Sequence, residues 1–127
     1  MSYEIRINHE FCAAHAIRLA GELEAMHGHN FRVTAVLTGE RLDEEGLLCD
    51  FHAAHARLVE ICRPFENVTL NGTPPFDELN PTAERLAEHI ALSLDRAYPA
   101  DASGDRAIRV ASVAVSEAPG CEAVYRP

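Results

Sequence analysis

The sequence predicts an α+β domain: an antiparallel four-stranded sheet with two helices packed on one face. Segments near both ends alternate apolar and polar residues, the mark of half-buried strands. Two stretches between them carry apolar residues at helical spacing. The resulting order is strand, strand, helix, helix, strand, strand. Hairpins flanking a helical pair build an antiparallel sheet covered on one side. A length of 127 residues suits a single domain over residues 1–127 with one core.

In the first strand, residues 3–15, Tyr3, Ile5 and Ile7 face one way and Glu4, Arg6 and Asn8 the other. Residues 16–28 have no clear period and carry Gly21, Gly28 and acidic groups, so a loop is expected. Alternation returns over residues 29–39, with Phe31, Val33, Ala35 and Leu37 on one face. The charged stretch 40–46 reads as a turn. Asp50 is the predicted cap of the first helix; Phe51, Ala54, Leu58, Ile61 and Phe65 recur at helical spacing, and Pro64 ends the regular part. Residues 64–80, rich in Pro, Asn and Gly, form a long loop. Asn80-Pro81 starts the second helix, with Asn as cap and Pro at the first helical position. Ala83, Leu86, Ala87, Ile90, Leu94 and Ala97 line its buried face until Pro99 stops it. Residues 107–117 return to strand, Pro119-Gly120 turns the chain, and residues 123–126 pair back as a hairpin. The second face of the sheet has no covering layer within the chain, so association of subunits is expected to supply one.

Composition narrows the chemistry. A net charge of −9 repels polyanions, which makes nucleic acid an unfavourable partner. All eleven basic residues are arginine. Without lysine there is no Schiff-base catalysis, no cofactor attachment through lysine and no P-loop, each of which needs a side-chain amine. No apolar stretch is long enough to span a bilayer, and the N-terminus MSYEIRINHE lacks the basic head and apolar run of a leader. No membrane partner and a cytoplasmic location are therefore expected. Cys12, Cys49, Cys62 and Cys121 form no CxxC pair and sit in apolar contexts, which reads as buried free thiols.

His27-Gly28-His29 is the motif that points to a site. An HxH pair in extended backbone turns both imidazoles to one face. His15, twelve residues upstream in a strand-like run, supplies a third. Three neutral nitrogens hold zinc while leaving one position open for water or substrate. Taken alone, HxH also suits two half-buried strand histidines with hydrogen-bond partners.

Five blocks then stand in order: Phe11-x-Ala-Ala-His15, His27-Gly28-His29-Asn30, Gly46-x-x-x-Asp50-Phe51, Asn80-Pro81-Thr82-Ala83-Glu84, and Glu117 followed by Tyr125-Arg126. Together they resemble the 6-pyruvoyl-tetrahydropterin synthase / 6-carboxytetrahydropterin synthase family, from about residue 3 to residue 126. The resemblance implies a tunnelling fold, in which several subunits join their sheets into a β-barrel. It implies a homo-oligomer, usually a hexamer, with active sites between subunits, and 7,8-dihydroneopterin triphosphate as substrate. It also implies that His15, His27 and His29 are zinc ligands, and that Glu117, helped by the region of Thr82 and Glu84, holds the amino and ring N–H groups of the pterin. Two adjacent donors on a pterin edge match the two acceptors of a carboxylate. Read without the resemblance, Glu117 is an ordinary charged residue near a strand end, and Thr82 and Glu84 are first-turn residues favourable to the helix dipole. Asp50 reads as a helix cap and Phe51 as core. His9, His52, His55 and His89 read as surface or packing histidines, with His52 and His55 the two to check near the metal.

The pattern departs from the family in two places. Relatives carry a cysteine a few residues before the HGH block as proton-transfer base. Here the loop reads Gly21-Glu22-Leu23-Glu24-Ala25-Met26, and Glu24 gives Glu-x-x-His-Gly-His. That resembles the subgroup in which glutamate replaces the cysteine and the substrate side chain is cut to leave 6-hydroxymethyl-7,8-dihydropterin, a folate precursor. A carboxylate serves as general base when burial raises its pKa toward neutrality. A solvated Glu24, like neighbouring Glu22, is the alternative. Relatives also carry an Asp-His pair before a Leu-Asn element, where this chain has Glu66 and Asn67 before Leu70-Asn71. Asparagine does not titrate in the useful range. Either Glu66 and Glu24 divide the acid and base duties, or the reaction differs.

The expected activity is a zinc-dependent pterin lyase, tilted by Glu24 toward the folate-type cleavage. The neighbouring alternative is 6-carboxytetrahydropterin synthase of the queuosine route. The missing Cys and His keep open a non-catalytic zinc- and pterin-binding protein, and a structural zinc site in an oligomer is a third reading. Arg18, Arg32 and Arg126 are candidates for a rim that binds triphosphate.

Overall fold

The computed structural model describes residues 1–127. The chain runs β1 (Tyr3–His15), β2 (Arg18–Leu19), β3 (Glu22–Leu23), β4 (His27–Gly39), α1 (Phe51–Cys62), α2 (Ala83–Asp95), β5 (Arg109–Ala118) and β6 (Cys121–Tyr125). Strands β1, β4, β5 and β6 form one antiparallel sheet in that order, and β2 pairs with β3 in a separate small ribbon. Both helices cover the same face, α1 over β1 and α2 over β5 and β6. No helix is long and apolar enough to cross a membrane.

Period-two alternation decides which face is covered. Phe31, Val33, Ala35 and Leu37 of β4 are fully buried, as are Val113 and Val115 of β5. Ala54, Leu58 and Cys62 of α1 and Leu86, Ala87, Ile90, Ala91 and Leu94 of α2 meet them in one hydrophobic cluster. Each buried Phe or Leu side chain contributes roughly 1.5–3 kcal/mol. The opposite face carries Glu4, Arg6, Asn8 and Glu10 from β1 and Asn30 and Arg32 from β4, all exposed.

Several local expectations are corrected. Residues 16–28 contain the β2–β3 ribbon, and β4 begins at His27 rather than at residue 29. Asn80 does not cap α2. Its side chain is committed to the backbone of Arg18, and Thr82 accepts from the Arg85 N–H at 3.1 Å instead. Asp50 does cap α1, accepting from the His52 N–H at 2.8 Å. Phe51 is not core: it is 53% exposed, because the buried face of α1 starts at Ala54. Only Cys62 is a buried thiol, pushed up to about 12 by burial and the charge of Glu66. Cys12 and Cys121 are exposed and Cys49 is half-buried.

Two β-bulges shape β5. The register shifts opposite Val36/Leu37 and again between Ser116 and Ala118, where Glu117 is the extra residue. Pro119 and Gly120 close the hairpin, and Gly120 takes φ +82°, the left-handed conformation that glycine adopts without a Cβ penalty.

Arg106 locks the end of α2 to the start of β5. Its guanidinium donates to both oxygens of Asp95, at 2.9 and 3.1 Å, and to the Tyr98 carbonyl at 2.8 Å, while Asp95 also accepts from the Val110 N–H. Burial pushes the Asp95 carboxyl up, but these hydrogen bonds and the charges of Arg106 and Arg109 outweigh it and hold it below its ordinary 3.8. A carboxyl held down in the fold stabilises it above the unfolded value and loses that contribution as pH falls through the folded value. Arg106→Ala should lower urea-unfolding stability by roughly 1–3 kcal/mol at neutral pH. The gap between variant and parent should narrow below about pH 4; a gap independent of pH would contradict the assignment.

Candidate functional site

The antiparallel register of β1 and β4 sets His15 opposite His27 and Ala13 opposite His29. Because side-chain direction repeats every two residues, all three histidines point to the covered face. Their ring centroids lie 4.7 to 5.0 Å apart, and their ligand atoms fall within 4.8 Å of one another.

Hydrogen bonds fix the tautomers. His15 Nδ1 lies 2.7 Å from the Pro81 carbonyl and His27 Nδ1 lies 2.9 Å from the Ala25 carbonyl. A carbonyl only accepts, so each Nδ1 carries the proton and each Nε2 presents its lone pair. His15 Nε2 and His29 Nε2 are buried with no hydrogen-bond partner. Leaving a buried polar atom unpaired costs on the order of 1–3 kcal/mol. Burial lowers the His29 pKa, and the neighbouring His15 and His27 push the same way against the opposing charge of Glu117. The neutral ring that results is the form that ligates a metal. Three such nitrogens could hold a divalent transition-metal ion with one position left open.

Two carboxylates flank the histidines. Glu24 Oε1 is 3.6 Å from His27 Nε2, and the two oxygens of Glu117 are 3.9 Å from His15 Nε2 and 3.8 Å from His29 Nε2. The bulge at the end of β5 is the device that aims Glu117 here, since an extra residue locally bends and twists its strand. Glu117 also lines a cleft of about 370 Å³ with Thr82, Glu84, Ile17 and Cys121, between the entry of α2 and the β5–β6 hairpin. The three residues expected to hold a pterin thus share one cleft, although the Thr82 hydroxyl is engaged as the helix cap and Glu84 is exposed.

Glu66 and Asn67 lie elsewhere. The Glu66 carboxylate is taken by His9 Nε2 at 2.6 Å, a hydrogen bond that ties the loop after α1 to β1. Asn67 adopts φ +56°, donates its N–H to the Cys12 carbonyl at 2.7 Å, and lines a second cleft of about 660 Å³ with Cys12, His29 and Asn30. His55 donates to the Asn8 carbonyl, His52 is exposed, and His89 packs between Phe65 and Phe76, where burial lowers its pKa. None of these three joins the metal-ligating group. Arg18, Arg32 and Arg126 are all exposed, and Arg32 lies 3.9 Å from Glu10. Cys12, expected as a buried thiol, is exposed and donates to Asn30 Oδ1 at 2.8 Å; strand parity, which sets it opposite in direction to Phe11 and Ala13, was the available signal.

Removing one imidazole should empty the centre. His15→Ala is expected to drop bound metal from about one ion per chain to under a tenth, read by elemental analysis after dialysis. Chelation of the parent should lower its melting temperature, and a melting temperature indifferent to chelator would argue against a metal here.

Comparisons with known proteins identify the family and the fold. Residues 4–127 match the family model described as 6-pyruvoyl tetrahydropterin synthase. An Archaeoglobus fulgidus protein provisionally named 6-carboxy-5,6,7,8-tetrahydropterin synthase is 33% identical over 90 residues, covering 71% of this chain and 74% of that one. The 6-pyruvoyl tetrahydropterin synthase structure from Caenorhabditis elegans superposes with a TM-score of 0.81 at 18% identity, over 100% of this chain and 96% of that one. The Plasmodium vivax structure gives 0.79 at 17% identity, over 100% and 98%. With its sheet, its paired helices and its strand-borne histidines, the chain belongs to the 6-pyruvoyl tetrahydropterin synthase family of pterin enzymes.

Proposed function

We propose that the protein is a zinc-dependent lyase that acts on 7,8-dihydroneopterin triphosphate and cuts its side chain, releasing 6-hydroxymethyl-7,8-dihydropterin. The observation that carries this reading is the Glu24 carboxylate, 3.6 Å from His27 Nε2, in a chain whose family pattern has lost its cysteine base. A zinc ion held by His15, His27 and His29 would polarise the side-chain hydroxyls and lower the cost of deprotonating them.

The chain's own residues then divide the work. Glu117, with Thr82 and Glu84 beside it in the cleft, holds the pterin edge through two parallel acceptor contacts. Glu24 accepts the proton of the C2′ hydroxyl. The C1′–C2′ bond breaks as that oxygen becomes an aldehyde, and the conjugated N5=C6 imine of the ring takes up the electron pair. Reprotonation at C1′ leaves the hydroxymethyl group. Glu66 shares the acid and base duties with Glu24, and Asn67 lines the cleft beside His29. Two variants of the Plasmodium vivax protein replace a glutamate described as a catalytic residue, which favours a carboxylate in this role. The name of the Archaeoglobus relative favours the second reading, a 6-carboxytetrahydropterin synthase.

Glu24→Gln should lower turnover by about 10²–10⁴-fold while metal content stays at the parental level. Mass spectrometry of the products separates hydroxymethylpterin from carboxypterin, and full activity in the variant would displace Glu24 as the base. We also propose a homo-oligomer, favouring a hexamer, because the face bearing Glu4, Arg6, Asn8 and Glu10 has no layer over it. Sedimentation should return six chain masses, and a single chain mass would end that proposal.

A further inference from the structure

Residues 16–18 join the strand that bears His15 to the loop that bears Glu24, and side chains supply the partners that no strand provides there. Asn71 accepts from the Ala16 N–H at 2.9 Å and donates to the Ala16 carbonyl at 2.8 Å. Asn80 repeats the pattern at Arg18, accepting at 2.8 Å and donating at 3.1 Å. Ile17 between them is held by Glu24: its N–H donates to Glu24 Oε1 at 3.2 Å, and its carbonyl accepts from the Glu24 N–H at 3.0 Å. In extended backbone both polar groups of a residue point to one side and those of the next to the other. The two asparagines therefore occupy one edge of this stretch and Glu24 the other.

Each amide reproduces the two-bond contact of a strand partner. Only a group that donates and accepts at once does this, and a carboxylate has no donor. The Glu24 oxygen bound to Ile17 is the same Oε1 that lies 3.6 Å from His27 Nε2. Asn80 also stands directly before Pro81, whose carbonyl orients His15.

We propose that Asn71 and Asn80 are positioning residues: by fixing residues 16–18 they set the place of the Glu24 carboxylate beside the histidines. The proposal rests on the reading of Glu24 as the base. Misplacing a reacting group by about 1 Å costs about 100-fold in rate.

Asn71→Asp and Asn80→Asp keep size and remove one donor each. Amide hydrogen exchange at Ile17 and Glu24, whose N–H groups tie this stretch to the Glu24 loop, should quicken at least about tenfold in either variant. Metal content and the visible spectrum of the cobalt-loaded protein should stay parental, since the three imidazoles are untouched. With 7,8-dihydroneopterin triphosphate, kcat should fall about 10–100-fold with KM within about threefold. Adding Asn80→Asp to Glu24→Gln should cost nothing further, because residues that act through one another are not additive. Unchanged kcat in both single variants overturns the proposal, and so does an undiminished loss in the Glu24→Gln background. Should an Asp variant fail to fold, the Ser variant at that position takes its place with the same expectations. An impaired Glu24→Gln beside fully active asparagine variants removes this proposal alone, whereas a fully active Glu24→Gln removes the base assignment beneath it.

Discussion

Two ring nitrogens, His15 Nε2 and His29 Nε2, lie buried with nothing in the protein to bond them, and the local architecture makes sense around that fact. Their lone pairs and that of His27 converge because two long strands pair in a register that sets the histidines side by side. Carbonyls from two loops, Ala25 and Pro81, hold the far side of the rings and prevent the tautomers that would turn protons inward. A cation answers all three lone pairs at once, where a hydrogen-bond donor would answer one. The entry to α2, the Glu24 loop and the bulged end of β5 meet there for this reason. Glu24 and Glu117 add negative charge on either side, which favours a positive ion over a proton shared between rings.

Much of this was legible in the chain. Alternation over Phe31, Val33, Ala35 and Leu37 foretold the four most deeply buried positions of β4, and strand parity alone put both members of the HxH pair on one face. Helix α2 announced itself by spacing: Ala83, Leu86, Ala87, Ile90 and Leu94 are buried as expected, Ala91 joins them unforeseen, and the regular helix ends at Asp95, before Ala97. Local rules failed where a side chain had a distant competitor. Asn80 has the chemistry of a cap, but the Arg18 backbone claims it, and the cap moves two residues to Thr82. Phe51 fits the helical period, yet stands at the first turn beyond the edge of the sheet's cover.

The candidate site was legible in its ligands and less so in its supports. Glu117 owes its aim to a bulge, which no periodicity reveals. Glu66 owes its partner to His9, 57 positions away. The bonds that hold residues 16–18 come from Asn71 and Asn80, so a window of neighbouring residues reads that stretch as unstructured. Long-range bonds from side chain to backbone are the part of a fold that pattern cannot foresee.

Strand β1 has β4 on one flank only. On the other, Ala14 N–H reaches the Val68 carbonyl and the Cys12 carbonyl takes the Asn67 N–H, so the loop after α1 plugs the far end alone. Apart from the Asn8 carbonyl, which accepts from His55, residues 3–11 keep an open row of amides and carbonyls, a template onto which an extended segment can zip. Glu4, Arg6 and Glu10 alternate along that row and make registry matter: a visitor displaced by one residue would turn its own charges toward the greasy side. A nascent copy is thus guarded against promiscuous zipping less by concealment than by the penalty attached to a misaligned fit.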